Sequence, residues 1–182
     1  MPRREEEDEE KVSKKTVKVP KELTHPFFFP DDMITWDMEN ETKLNLEVPF
    51  IYEVAYFSGH ESQKPWNDDP EGNISALLKE WLKVKEIIRI PFDKRDKKAA
   101  IPLMRKGIGL FLEFLHWSNG QPTKLHPEIE YHLFEIKPVN IKERLEFITA
   151  RPNLHHSYMQ LVELMSELEK GYKKSIVMKK GR

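Results

Sequence analysis

Cysteine is absent from all 182 residues. That excludes a disulfide framework, thiolate-ligated zinc and a cysteine nucleophile, and it fits a reducing compartment. Long apolar runs are missing as well. No stretch nears the roughly 18 consecutive apolar residues of a membrane-spanning helix, and the opening residues, MPRREEEDEEKVSKK, hold no apolar segment of the kind a secretory signal carries. Neither sign of charge dominates. Thirty Lys and Arg stand against 31 Asp and Glu, a net of −1, so no global field steers the chain to nucleic acid or anionic lipid. Phosphate-cradling and nucleophile motifs are lacking too: there is no G-x-x-x-x-G-K-[ST], no G-x-G-x-x-G and no G-x-S-x-G. Gly107-Ile108-Gly109 is a lone G-x-G inside a helical pattern. No cofactor is expected.

What is present is charge, and it is unevenly placed. Charged residues make up 34% of the chain and apolar residues 38%, against an apolar share of about 45–50% in ordinary globular domains. Part of the chain must therefore be solvated while the rest packs a normal core. Residues 1–18 fit the solvated part: Glu5 to Glu10 is an unbroken acidic run, Lys11, Lys14, Lys15 and Lys18 follow it, and Val12 and Val17 are the only clearly apolar side chains. Such a segment cannot bury enough surface to offset its ordering entropy, so 1–18 reads as a disordered tail. Residues 19–175 read as a single helical domain, and the basic end 176–182 as fraying.

Within the domain the punctuation is clear. Pro20, Pro26 and Pro30 bracket Phe27-Phe28-Phe29 and forbid a long helix, leaving an aromatic strap. Asp31-Asp32 can cap a short helix through Ile34, Trp36 and Met38. Phe50, Ile51, Val54 and Phe57 have helical spacing. Residues 58–73 form a polar loop around Trp66. Ile74, Leu77, Leu78, Trp81, Leu82 and Ile88 make one apolar stripe of a helix over 74–90, capped by Asn73 and ended by Pro91. Residues 99–118 are apolar nearly all round, which places them at the centre of a bundle, with Gly120 as the stop. Three more helices follow: a short one from Pro127 to Ile136, one opened by a capping box at Asn140 and Glu143, and a last one from Asn153. The fold class is all-α, a compact bundle of about six helices around a buried central helix.

The run Pro138-Val139-Asn140-Ile141-Lys142-Glu143-Arg144-Leu145-Glu146-Phe147-Ile148, then Arg151-Pro152, then Tyr158-Met159-Gln160-Leu161, resembles the C-terminal part of the YpoC-like proteins of Bacillus and its relatives. The stop Trp117-Ser118-Asn119-Gly120-Gln121-Pro122 is similar too. The resemblance covers residues 25–170 and leaves the acidic tail outside. Its motifs are structural punctuation, and it implies no catalytic residues.

Three constellations could carry function. The aromatics Phe27, Phe28, Phe29 and Trp66 sit in a Pro-bracketed strap and a polar loop, where they either anchor the domain or recognise a protein partner. Residues 79–106 hold ten Lys and Arg against four acids, a net of +6, while 31–71 hold eleven acids against two lysines, a net of −9. The basic turn with Lys94, Arg95, Lys97 and Lys98 can contact phosphates, or complement the acidic region of its own chain. The acidic run is a second candidate to cover it. Glu113-x-x-His116 has the helical spacing of di-iron bundles, with His132 as a further ligand, although a second Glu-x-x-His is missing. The leading expectation is a cytoplasmic, non-enzymatic helical module that binds a protein partner and no membrane. The alternatives are a nucleic-acid accessory protein using 94–98 and a metal-dependent bundle enzyme.

Overall fold

The computed structural model describes residues 14–37 and 43–182. Among them the order of elements is strand β1 (Lys14–Lys18), strand β2 (Met33–Asp37), then helices α1 (Ile51–Phe57), α2 (Pro70–Asp93), α3 (Lys97–Ser118), α4 (Ile141–Ala150) and α5 (His155–Lys180). The acidic run Glu5–Glu10 and Met38 lie outside the described residues.

The two strands form an antiparallel ribbon in which Thr16 faces Thr35 and Val17 faces Ile34. This revises two expectations. Lys14–Lys18 forms a strand, so the last five residues of the expected 1–18 tail are ordered. Residues 33–37 are extended and do not form the helix expected through Ile34 and Trp36. Val17 pairs with Ile34, and Val19, just past β1, donates its N–H to the Asp32 carbonyl at 2.8 Å, so one face of the ribbon meets the core, where Val19 and Ile34 are buried. Between the strands runs the Phe27–Phe29 strap. Phe28 and Phe29 pack on the Phe50 ring at centroid distances of 5.1 and 6.1 Å.

Helix α2 starts earlier than its apolar stripe. Asp69 caps it by accepting the Gly72 N–H at 3.2 Å, and Pro70 occupies the first helical position, where a missing N–H costs nothing. Asn73 is not the cap; it lies inside the helix and donates to the Asp68 carbonyl at 2.6 Å. Pro91 does not end α2 either, since the helix runs on to Asp93. The inward face is Ile74, Leu77, Trp81, Val84, Ile88 and Pro91, while Leu82, placed in the stripe by spacing, faces solvent.

Helix α3 opens on the carboxylate of Asp96, which accepts the Ala99 N–H at 3.0 Å. From Gly107 to Trp117 every residue is buried, as an all-round apolar helix requires. Gly107 allows the closest approach: a Cβ there would lie 2.7 Å from Ile88 of α2 and 3.0 Å from Leu161 of α5. At the other end Gly120 turns the chain at φ +70°. The Asn119 amide donates to the carbonyls of Leu115 and Ile136 at 2.7 and 2.8 Å and accepts the Ile136 N–H at 3.0 Å. The segment after α3 is thereby pinned without a helix of its own: Tyr131–Leu133 is a single 3-10 turn where a longer helix was expected. Asn140 adopts φ +53° and makes no side-chain cap, so the capping box at α4 does not close. Arg144 of α4 then ties α5 through Glu167 at 2.9 Å and Gln160 at 3.0 Å. The fold is all-α apart from the two-stranded ribbon, with five α-helices among the described residues, and α5 remains helical to Lys180.

Gly107→Val forces two branched methyls against Ile88 and Leu161. Overpacking of this kind costs about 1–3 kcal/mol, which equilibrium urea denaturation will read as a lower midpoint at unchanged slope.

Candidate functional site

The sequence places one charged residue, Glu53, within the apolar run of α1, and one charged residue, Glu113, within the apolar centre of α3. The fold brings both into the interior. Glu53 is fully buried and Glu113 is 2% exposed. Burying a carboxylate is costly unless it is hydrogen-bonded or neutralised, and here both remedies are used. Glu53 Oε1 accepts three bonds: from Trp117 Nε1–H at 2.7 Å, Thr123 Oγ1–H at 2.8 Å and the Thr123 N–H at 3.2 Å. Glu113 Oε1 accepts the N–H of Phe50 at 2.7 Å. Phe50 sits in the left-handed region at φ +63° just before α1, a conformation that costs a bulky residue about 1–3 kcal/mol. The Glu113 bond holds it there and satisfies an amide that has no solvent access.

The second oxygen of each carboxyl has no partner among the described residues. Burial pushes the pKa of Glu53 up. Burial, followed by the charge of Glu53, pushes that of Glu113 well above the carboxylate range. Burial thus favours the neutral form of both, most strongly at Glu113, and Glu53, with three donors around one oxygen, is the better placed of the two for charge.

His116 lies one turn beyond Glu113 and is 1% exposed. Its Nδ1 donates to the Leu112 carbonyl at 2.8 Å. The tautomer is thus Nδ1–H, which leaves Nε2 as a bare acceptor without a partner. Burial lowers its pKa to about 4, so the ring is neutral, with the edges of Phe134 and Tyr131 against it at 5.1 and 6.2 Å. It borders a cleft of about 650 Å³ whose rim includes Lys21, Glu22, Lys124 and Glu130.

Of the metal constellation, Glu113 and His116 share a helix face as their spacing predicted. His132 does not join them: it is exposed on the 3-10 turn. Among the described residues no three His, Asp or Glu side chains come together as a metal-holding group. Glu113 is engaged by the Phe50 N–H, and the charge that bears on it is that of Glu53. A lone acid in the run Phe50–Phe57 was the signal for Glu53, and it was overlooked because hydropathy patterns score only the apolar positions around it.

The aromatic constellation is spent internally. Phe28, Phe29 and Trp66 are 7%, 9% and 7% exposed. Trp66 packs edge-on to Tyr56 at 5.3 Å. Phe27 is half-buried under the guanidinium of Arg105, which also donates from Nε to the Phe27 carbonyl at 2.6 Å. The four cations of the basic turn are by contrast exposed.

Taken together, these elements define an all-α protein built on a central helix and locked by a buried pair of carboxyls. The chain belongs to the YpoC-like protein family, whose match spans residues 71–180. It is 32% identical over 137 residues to the "Uncharacterized protein YpoC" of Bacillus subtilis (strain 168), covering 74% of this chain and 82% of that protein. No solved structure matches it. No helix among the described residues is long and apolar enough to cross a membrane.

Two outcomes follow from the buried groups. Glu53→Ala strips three buried donors of their acceptor and costs about 2–4 kcal/mol, whereas Glu53→Gln keeps an acceptor oxygen and costs less; thermal unfolding of the two variants orders them. The His116 pKa is lower in the folded chain than its ordinary 6.5, so the neutral ring stabilises the fold above pH 6.5, and that contribution is lost as pH falls toward 4. Across that window the wild type loses about 3 kcal/mol relative to His116→Gln, as read by urea denaturation at pH 7 and pH 4.

Proposed function

We propose that the protein is a non-catalytic, cytoplasmic helical interaction module that docks a protein partner on the outward face of α2. One observation carries the reading. While α2 buries its inner stripe, its solvent face presents Leu82, Ile87 and Ile90 at 64%, 47% and 50% exposure. At 100° per residue, Ile90 and Ile87 fall about 80° and 140° round the helix from Leu82, within the solvent side of α2. Isolated surface leucines are ordinary, but three large apolar side chains exposed over little more than two turns of one helix are the kind of surface that marks contact sites. Glu86 stands between Leu82 and Ile90, four residues from each, and Lys83 beside them is 3.8 Å from Glu80. Arg89 is occupied by Glu86 and Asp93 at 3.7 and 3.5 Å. The fitting partner is an amphipathic segment with an apolar face and margins of both signs.

The non-catalytic part of the reading is supported by what the buried polar groups are already doing. Glu53 and Glu113 are committed to Trp117, Thr123 and Phe50, contacts that hold α1 and the segment after α3 onto the core. The docking site expected at Phe27–Phe29 and Trp66 moves to α2 because those rings complete the core.

The test is affinity capture with the full chain, with and without nuclease, comparing the wild type with Leu82→Glu/Ile90→Glu. Both positions are exposed, where substitutions stay within about 0.5 kcal/mol, so unfolding temperature will hold. A specific protein retained by the wild type and lost at least tenfold by the variant supports the reading. Equal capture by both, or none by either, overturns it.

A further inference from the structure

Lys94, Arg95, Lys97 and Lys98 occupy the turn between α2 and α3. All four are exposed, and none forms an ion pair with a described residue. The acids interleaved with them are engaged: Asp93 holds Arg89, and the Asp96 carboxylate caps α3 at Ala99. With Asp93 spent on Arg89, the four cations of this turn outnumber its remaining acid, Asp96, and the turn keeps a net positive charge.

Tertiary structure adds a second turn to the same end of the bundle. Phe92, two residues before Lys94, stacks on Tyr158 at 5.5 Å and meets the edge of His155 at 5.9 Å. His156 packs against Phe147 at 5.4 Å, and the guanidinium of Arg151 lies over that same Phe147 ring at 5.3 Å. His155 thus lies beside the end of α2, while Arg151 and His156 of the same α4–α5 turn pack on Phe147 of α4, and all three are exposed. The turn is held in shape: Ser157, fully buried, donates from Oγ to the Arg151 carbonyl at 2.6 Å. Separated in sequence, the two segments form one basic end.

Arg95 adopts φ +57°, a left-handed conformation that glycine occupies freely. It ends α2: the Asp96 N–H donates to the Pro91 carbonyl at 2.8 Å and the Arg95 N–H to the Phe92 carbonyl at 3.1 Å. Its side chain forms no ion pair with a described residue.

We propose that the two turns together form a binding surface for the sugar-phosphate backbone of nucleic acid. The five permanent cations supply charge neutralisation, and the histidine rings add donors beside them. No element here has a groove-reading geometry, so the contact is to phosphates and is indifferent to base sequence. The surface is distinct from the Leu82–Ile90 patch, and its test uses none of those residues.

The experiment is fluorescence anisotropy of a labelled 20-base-pair DNA of arbitrary sequence with the full chain, from 25 to 200 mM NaCl, and with polyglutamate as a second probe. If the five cations engage phosphates, log K falls with log salt at a slope of about −4 to −5. Arg95→Gly removes one cation at a conformation that glycine occupies freely. It is expected to keep or raise the unfolding temperature, yet weaken DNA binding several-fold and reduce the slope by about one. Arg151→Gln is expected to weaken binding to a similar degree. Absence of DNA binding at 25 mM NaCl overturns the proposal. So does wild-type affinity in both Arg151→Gln and His155→Gln/His156→Gln when Arg95→Gly is impaired, because the site would then be the α2–α3 turn alone. Binding of polyglutamate as tightly as DNA overturns the assignment to nucleic acid and points to an acidic protein.

Discussion

Helix α3 cannot face water anywhere along its second half. From Gly107 to Trp117 its side chains are Ile, Leu, Phe and Trp around two glycines, one glutamate and one histidine, and all are buried. Each large apolar side chain removed from water contributes about 1.5–3 kcal/mol, so the remaining elements are selected by what they can cover. Helices α2 and α5 approach across Gly107, where the missing Cβ lets Ile88 and Leu161 close in. Pro49 and Phe50 meet α3 at Gly109, and the Phe28–Phe29 strap closes over Phe50. The order of covering explains why three consecutive phenylalanines follow a proline: they roof a core that the helices leave open.

The polar residues inside that core follow from the same constraint. An element that lies wholly in the interior carries its backbone ends and any polar side chains with it. Trp117 brings an indole N–H, Phe50 a strained amide, and Thr123 a hydroxyl and an amide, all beyond the reach of water. Glu53 and Glu113 answer those donors. The pair is expensive in charge, and burial answers by favouring the neutral form, most strongly at Glu113. His116 illustrates the complementary case. A ring whose Nδ1–H is taken by its own helix carbonyl is neutral, apolar in effect and able to pack among Phe134 and Tyr131.

The surface is organised by the ends of the same helices. Because α2 runs 24 residues and buries only one stripe, its outer face is free to carry apolar groups that the fold does not use. Because α2, α3, α4 and α5 all turn or terminate at one end, cations that are distant in the chain become neighbours there. The proposed protein-docking and phosphate-contacting roles are thus consequences of helix length and register laid over one core.

Helical periodicity was legible from the sequence: the α2 stripe, the all-apolar α3, the Gly120 stop and the separate α4 and α5 are local patterns, and local hydrogen bonding with side-chain spacing determines them. The errors arose where tertiary contacts outweighed local preference. Asp69 replaced Asn73 as a cap because α2 gained a turn ahead of its stripe. The 127–136 segment formed no helix longer than the Tyr131–Leu133 turn, and Asn119 pins its end at Ile136. Residues 33–37 became a strand because Lys14–Lys18 was there to pair with them. The sequence by itself determined that an apolar helix must be wrapped by amphipathic ones and that no cysteine chemistry is present, since composition and periodicity act within a few residues. Only the tertiary structure decided that Glu53 faces Trp117 and Thr123, that Phe28 and Trp66 are structural, and that His155 stands against Phe92. These are meetings across long stretches of chain, set by which surfaces must exclude water together and written in no local pattern.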